Sequence, residues 1–154
     1  MVRVKCVKLT PAAEMETDHL TVRTPFHVCF EFWVLQPAFL NLSMHVKSIS
    51  GETIFAVPSP RVDCGPGIAG FTCDVPGDLM NDGVYSITMM IVKESTAIFV
   101  LDDSITFEIH DVERTGNWWG KRPGAVRPNL NWRHQVSAGL GTAKEVGYSV
   151  PKTI

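Results

Sequence analysis

The sequence contains no uninterrupted apolar run approaching the roughly eighteen residues that a membrane-crossing helix needs, so a helical span is excluded. Its opening, Met1-Val2-Arg3-Val4-Lys5-Cys6, alternates charge with apolar character where a secretory leader would carry an unbroken apolar stretch. A soluble cytoplasmic chain without membrane insertion is expected. Positive charge is not in excess: 14 Lys and Arg stand against 16 Asp and Glu, scattered along the chain, for a net charge of -2. That leaves no electrostatic footprint for a phosphate backbone, so nucleic acid is not an expected partner. Cysteine is sparse. Cys6, Cys29, Cys64 and Cys73 form no CxxC pair and no dense framework, and free thiols are expected, with a Cys64–Cys73 bridge as the alternative in an oxidising compartment.

Catalytic signatures are missing as well. HExxH, GxSxG and paired Cys/His metal spacings do not occur. Gly116-Asn117-Trp118-Trp119-Gly120-Lys121-Arg122 superficially resembles a phosphate loop, but it is one residue short between the glycines and lacks a hydroxyl after Lys121. A glycosidase would need two carboxylates facing each other across a cleft, whereas Asp102 and Asp103 are adjacent turn residues whose side chains diverge. Neither an enzyme, a metal centre nor a cofactor is expected. Cys29 with His27 and His45 remains the alternative metal set.

No window of twelve residues carries a helical stripe; the apolar residues recur with period two. Phe26, Val28, Phe30, Phe32 and Val34 make one face of a strand, with His27, Cys29, Glu31, Trp33 and Leu35 on the other. Leu40, Leu42, Met44 and Val46 alternate with Asn41, Ser43, His45 and Lys47, the pattern of a half-buried antiparallel strand. Short strands are expected at 54–57, 71–75, 84–93, 97–101 and 105–109. A loop is expected over 58–70, turns at 50–52, 93–95 and 102–103, and a single helical turn at 78–81. At 154 residues and 45% hydrophobic the chain suits one domain. The expected fold is all-β, an immunoglobulin-like or jelly-roll antiparallel β-sandwich, with a closed barrel as the alternative.

A loop centred near Pro37 would make the first two strands a hairpin, placing Trp33 opposite Asn41, Glu31 opposite Ser43 and Cys29 opposite His45. Glu31, Trp33, Asn41, Ser43 and His45 would then share one outward patch of indole, carboxylate, amide, hydroxyl and imidazole. A sugar ring offers an apolar face to an aromatic plate and hydroxyls to planar donors and acceptors, so this mixture suits glycan recognition. The competing reading packs Trp33 and Leu35 beneath the aromatic close of the chain and leaves Glu31 and His45 merely solvated.

That close, Trp118-Trp119-Gly120-Lys121-Arg122-Pro123-Gly124-Ala125-Val126-Arg127-Pro128-Asn129-Leu130-Asn131-Trp132, holds three indoles, two prolines and three cations. Indole rewards burial and proline denies helix, so 116–132 is expected to be an extended arm pressed onto apolar surface. Trp118, Trp119, Arg127, Leu130 and Trp132 are its candidate docking residues. Residues 1–135 would form the domain and 136–154 a flexible tail.

Four segments carry a resemblance to a known family: Ile49-Ser50-Gly51-Glu52-Thr53-Ile54-Phe55; Val75-Pro76-Gly77-Asp78-Leu79 followed by Gly83-Val84-Tyr85-Ser86-Ile87; Ile105-Thr106-Phe107-Glu108-Ile109; and Gly124 through Trp132. In order and spacing the chain resembles the Wzt C-terminal family, the polysaccharide-binding domain of the ATP-binding subunit of bacterial O-antigen ABC exporters. The resemblance implies a non-catalytic immunoglobulin-like sandwich that dimerises by C-terminal strand exchange. It implies too that the domain holds finished O-polysaccharide, a lipopolysaccharide component, for the ATPase domain and membrane transporter subunit. The family's ATPase domain normally precedes this module; here the chain is either a piece of a longer protein or a stand-alone relative. The alternative function is a protein-interaction or dimerisation module with no glycan ligand.

Overall fold

The computed structural model describes residues 1–14, 18–112, 122–128 and 130–137. Among the described residues nine strands follow in order: β1 (Val2–Pro11), β2 (Leu20–Thr21), β3 (Phe26–Val34), β4 (Ala38–Ser48), β5 (Thr53–Pro58), β6 (Val62–Cys64), β7 (Gly67–Val75), β8 (Gly83–Lys93) and β9 (Thr96–His110). Among the described residues there is no helix, and so none long and apolar enough to cross a membrane. The strands form two sheets. One is three-stranded in the order β1-β3-β7; the other runs β2-β9-β8-β4-β5, with β6 also paired to β4. All pairings are antiparallel except the short β2–β9 contact. The fold is an all-β sandwich, the expected one of the two architectures that the alternating pattern allows.

The core lies where the two sheets face each other. Phe30, Phe32, Leu40, Ile87 and Ile91 are fully buried, and Val28, Leu42, Met44 and Val46 nearly so. Phe32 stacks on Phe71 with ring centroids 5.9 Å apart, and Phe26 meets Phe107 edge-on at 5.5 Å. Each such side chain contributes roughly 1.5–3 kcal/mol by leaving water.

The expected hairpin between the first two strands does not form. β3 pairs with β1 and β7, while β4 pairs with β5, β6 and β8, so residues 35–37 carry the chain from one sheet to the other. The reason is burial: in one sheet, both apolar faces would point the same way and need a separate cover, whereas in opposed sheets they cover each other. Period-two patterning identifies the inward side chains but not the neighbouring strand.

Three further expectations change. Residues 58–70 are not all loop, since Val62–Cys64 pairs with β4 and β7 begins at Gly67, giving β3 a partner along its full length. Asp102 and Asp103 do not end a strand. The register slips there, Asp103 takes φ 46°, and the Thr88 hydroxyl donates to Asp102 at 3.2 Å, so a bulge lets β9 continue. The segment 78–81 is a turn rather than a helical turn, with Asp78 at φ 59° and its N–H donating to the Val22 carbonyl at 2.7 Å. Gly77 beside it is held for a steric reason, because a Cβ there would collide with the backbone carbonyl of Arg23. Gly77→Ala should therefore destabilise the domain by about 1–3 kcal/mol in urea unfolding; an unchanged midpoint would show that the two turns can separate freely.

Of the expected arm, residues 122–128 and 130–132 are described. Residues 122–128 cross the β7–β8 turn: Met80 bridges Val126, the Arg127 N–H donates to the Leu79 carbonyl at 3.0 Å, and the Asn81 N–H donates to the Ala125 carbonyl at 2.8 Å. The fully buried Asn81 also donates through Nδ2 to the carbonyls of Arg122 (2.5 Å) and Gly124 (2.8 Å). Tyr85 donates to the Asn81 carbonyl at 2.8 Å; burial, with the nearby Asp82 charge, pushes its hydroxyl pKa up. Arg127 pairs with Asp111 at 3.2 Å. Leu130 and Trp132, however, are 74% and 94% exposed, so that stretch is not pressed onto apolar surface. Trp118, Trp119 and residues 138–154 of the expected tail lie outside the described residues. Asn81→Ala removes two side-chain bonds and should cost about 1–3 kcal/mol. Thermolysin, which cuts before apolar residues, should then cut at Ala125–Val126 sooner than in wild type; equal cutting rates would mean the arm is held elsewhere.

Candidate functional site

The outer face of the three-stranded sheet is built in rows that the register dictates. Arg3, Trp33 and Ile68 stand side by side across β1, β3 and β7; next come Cys6, Glu31 and Gly70, then Lys8, Cys29 and Thr72, then Thr10, His27 and Asp74. Trp33 is 42% exposed, so its indole forms an open plate beside the aliphatic Ile68. Gly70 has no side chain and almost nothing near it, the Glu31 Cγ lying 3.8 Å from where a Cβ would sit. A shallow trough therefore runs beside the Glu31 carboxylate next to the plate.

A bulge in β1 sharpens this arrangement. The register shifts between Val4 and Cys6, so Lys5 and Cys6 both turn outward while Val4 and Val7 pack on the core. Lys5 Nζ then reaches Glu31 Oε2 at 2.8 Å, and Cys6 Sγ lies 3.4 Å from the same oxygen. Hydrogen bonds from Lys5 and Cys6, with the Lys5 charge, hold the Glu31 carboxyl below the usual carboxylate range; Glu31 in turn raises Lys5. The carboxylate is fixed and ionised, with one oxygen engaged. At the far end of the face, His27 Nδ1 and Asp74 Oδ1 pair at 2.6 Å.

Asn41, Ser43 and His45 are not part of this surface. They lie on the outer face of the other sheet, where His45 Nε2 and Ser43 Oγ are 3.1 Å apart and Lys47 meets Asp102 at 3.5 Å. Since stacked sheets are about 10 Å apart, the five residues expected to share one patch are separated by the thickness of the sandwich. Glu31 and Trp33 stay together; the other three lie on the outer face of β4, in line with the exposed Phe39. The same separation takes His45 away from His27 and Cys29, and among the described residues no group of three metal-ligating side chains occurs.

Sequence reasoning missed the contribution of β1. Its alternating cations were visible, but the bulge that turns Lys5 onto Glu31 leaves no local signature. Gly70, assigned to a loop, lies in a strand with ordinary extended geometry. A separate cleft of about 390 Å³ opens between β5 and β7, lined by Met44, Val57, Phe71 and Met89 with Ser59 and Asp74 at its mouth.

Comparison with known proteins bears on the fold. No family model and no curated protein sequence matches the chain. Among solved structures, the C-terminal domain of wzt superposes with a TM-score of 0.63, covering 87% of this chain and 84% of that one at 12% sequence identity. A putative beta-galactosidase from Bacteroides fragilis matches at a TM-score of 0.40 and 13% identity over 16% of its length. The first similarity establishes a shared fold; the second is too weak to argue from.

If Trp33 is a surface plate rather than a core residue, Trp33→Ala should change stability by less than about 1 kcal/mol, well short of the 3–5 kcal/mol of a buried indole. Gly70→Thr should leave stability unchanged or raise it, because the added Cβ has room and suits a strand. A large loss in either variant, read by urea unfolding, would make this face structural.

Proposed function

We propose that the protein is a non-catalytic carbohydrate-binding β-sandwich that recognises a bacterial O-antigen polysaccharide for export by an ABC transporter. One observation carries the reading: an exposed indole, an ionised carboxylate and the open trough at Gly70 adjoin on one sheet face, in a fold shared with the C-terminal domain of wzt. The plate meets the C–H face of a sugar, Glu31 accepts from its hydroxyls, and the trough at Gly70 admits the ring's edge. The protein works on the cytoplasmic side, beside the ATPase domain and membrane transporter subunit that would use the bound polymer.

A specific observation favours a second activity for the arm. Leu130, Trp132 and Val136 are 74%, 94% and 87% exposed, a spacing of apolar side chains with no cover of their own. We assign them to C-terminal strand exchange in a homodimer. The alternative of a dimerisation module without a glycan ligand rests on this feature alone.

Calorimetric titration with surface polysaccharide from the producing strain, with molecular mass measured alongside, separates these readings. Binding is expected in wild type and should weaken at least tenfold in Trp33→Ala and Gly70→Thr. Leu130→Ser/Trp132→Ser should turn a dimer into a monomer that still binds. No heat with the polymer, combined with a dimer that the arm variant dissociates, would leave only the interaction module. Release of shortened saccharides would make the protein an enzyme instead.

A further inference from the structure

The face that carries Trp33 is also the one on which β1 displays its cations. Arg3, Lys5 and Lys8 all point outward, and they do not have equal partners. Lys5 is engaged by Glu31 at 2.8 Å, which neutralises both. Among the described residues neither Arg3 nor Lys8 forms an ion pair. The other carboxylate described on this face, Asp74, sits in the last row against His27 Nδ1 at 2.6 Å and pairs with neither cation. Two unneutralised cations therefore flank the row that holds Glu31 and the trough, and Arg3 stands directly beside the indole.

This arrangement selects charge as well as shape. A neutral sugar chain needs the plate, the trough and hydroxyl acceptors, and gains nothing from a free guanidinium one strand away. A ring bearing an anionic substituent, stacked on Trp33, brings that group within reach of Arg3, whose planar fork matches a carboxylate or phosphate in two bonds. Arg3 and Lys8 are four strand positions apart on the register of β3, about 13 Å at 3.3 Å per residue, so a polymer lying along β1 meets a cation on either side of the trough. We propose that the polysaccharide recognised by this face is acidic, its carboxylate or phosphate group bound by Arg3 next to the Trp33 plate and a second anion in the chain by Lys8. The inference rests on the carbohydrate-binding reading above and narrows its ligand class.

The test uses the full chain and surface polysaccharide of the producing strain in four forms: as isolated, after carboxyl reduction, after dephosphorylation, and after both. The doubly treated polymer should bind at least tenfold more weakly than the native one, and whichever single treatment reproduces the loss identifies the anion. Arg3→Gln should weaken the native polymer about tenfold while leaving the doubly treated one unchanged, whereas Trp33→Ala weakens both. Binding of the native polymer should fall as salt rises. Equal binding of native and doubly treated polymer, or an Arg3→Gln protein with wild-type affinity for the native form, overturns the proposal while leaving a neutral-glycan domain standing. Failure of every form to bind removes the carbohydrate reading itself.

Discussion

Two apolar strand faces must escape water at the same place: the phenylalanine- and valine-rich face of β3 and the leucine- and methionine-rich face of β4. Everything else in the molecule depends on their being pressed against each other. Because the strands are consecutive, that contact forces the chain to leave one sheet and enter the other within residues 35–37. Hydrogen bonding alone would favour a hairpin, whose ladder is local and quick to close. It would also leave a double row of large side chains without a lid. At roughly 1.5–3 kcal/mol for each buried residue, nine facing side chains outweigh the convenience of a local ladder, and β1, β7, β5 and β8 can supply the missing hydrogen bonds.

The same packing decides what each outer surface can do. Once the inward positions are fixed, alternation throws Trp33 and Glu31 onto one outside and Ser43 and His45 onto the other, and no side-chain rotation can reunite them. The chemical character of the three-stranded face then depends on what its flanking strands bring. β7 brings a bare backbone at Gly70 and the aliphatic Ile68, which widen the platform around the indole. β1 brings cations, and its bulge spends one of them on holding Glu31 ionised. A strand without the bulge would have kept strict alternation and placed Cys6 inward, in place of Val7, losing both a core contact and the regular rows that follow.

How much of this could be read in the chain itself follows from the range of each interaction. The side of β3 and β4 that faces inward was legible because period-two alternation is a local property of the covalent backbone. So were the turn at 93–95 and the strand-rich class. Partner choice was not legible, since the hairpin and the cross-sheet arch share the same alternation and the same Pro37. The Asp102-Asp103 pair looked like a stop because aspartates usually terminate strands; here the Thr88 and Ser86 hydroxyls satisfy them in a bulge, a long-range arrangement. The opening at Gly70 was not legible because it is an absence of side chain, which takes shape only once β7 is paired beside Glu31 and Trp33.

The arm shows the same division between local and distant causes. Its prolines and glycines ensure that it is extended, yet what holds residues 122–127 is Asn81, whose amide side chain binds two carbonyls more than forty positions away. An amide suits this task better than a charged group, because it donates twice to neutral carbonyls in a buried place without bringing an ion out of water. Arg127 then ties the outgoing chain to Asp111 at the end of the domain's last strand. Beyond that point, among the described residues, Leu130, Trp132 and Val136 stand exposed to solvent. Asn81 thus sets the path of the chain over the β7–β8 turn, and with it where the stretch bearing Leu130 and Trp132 leaves the domain.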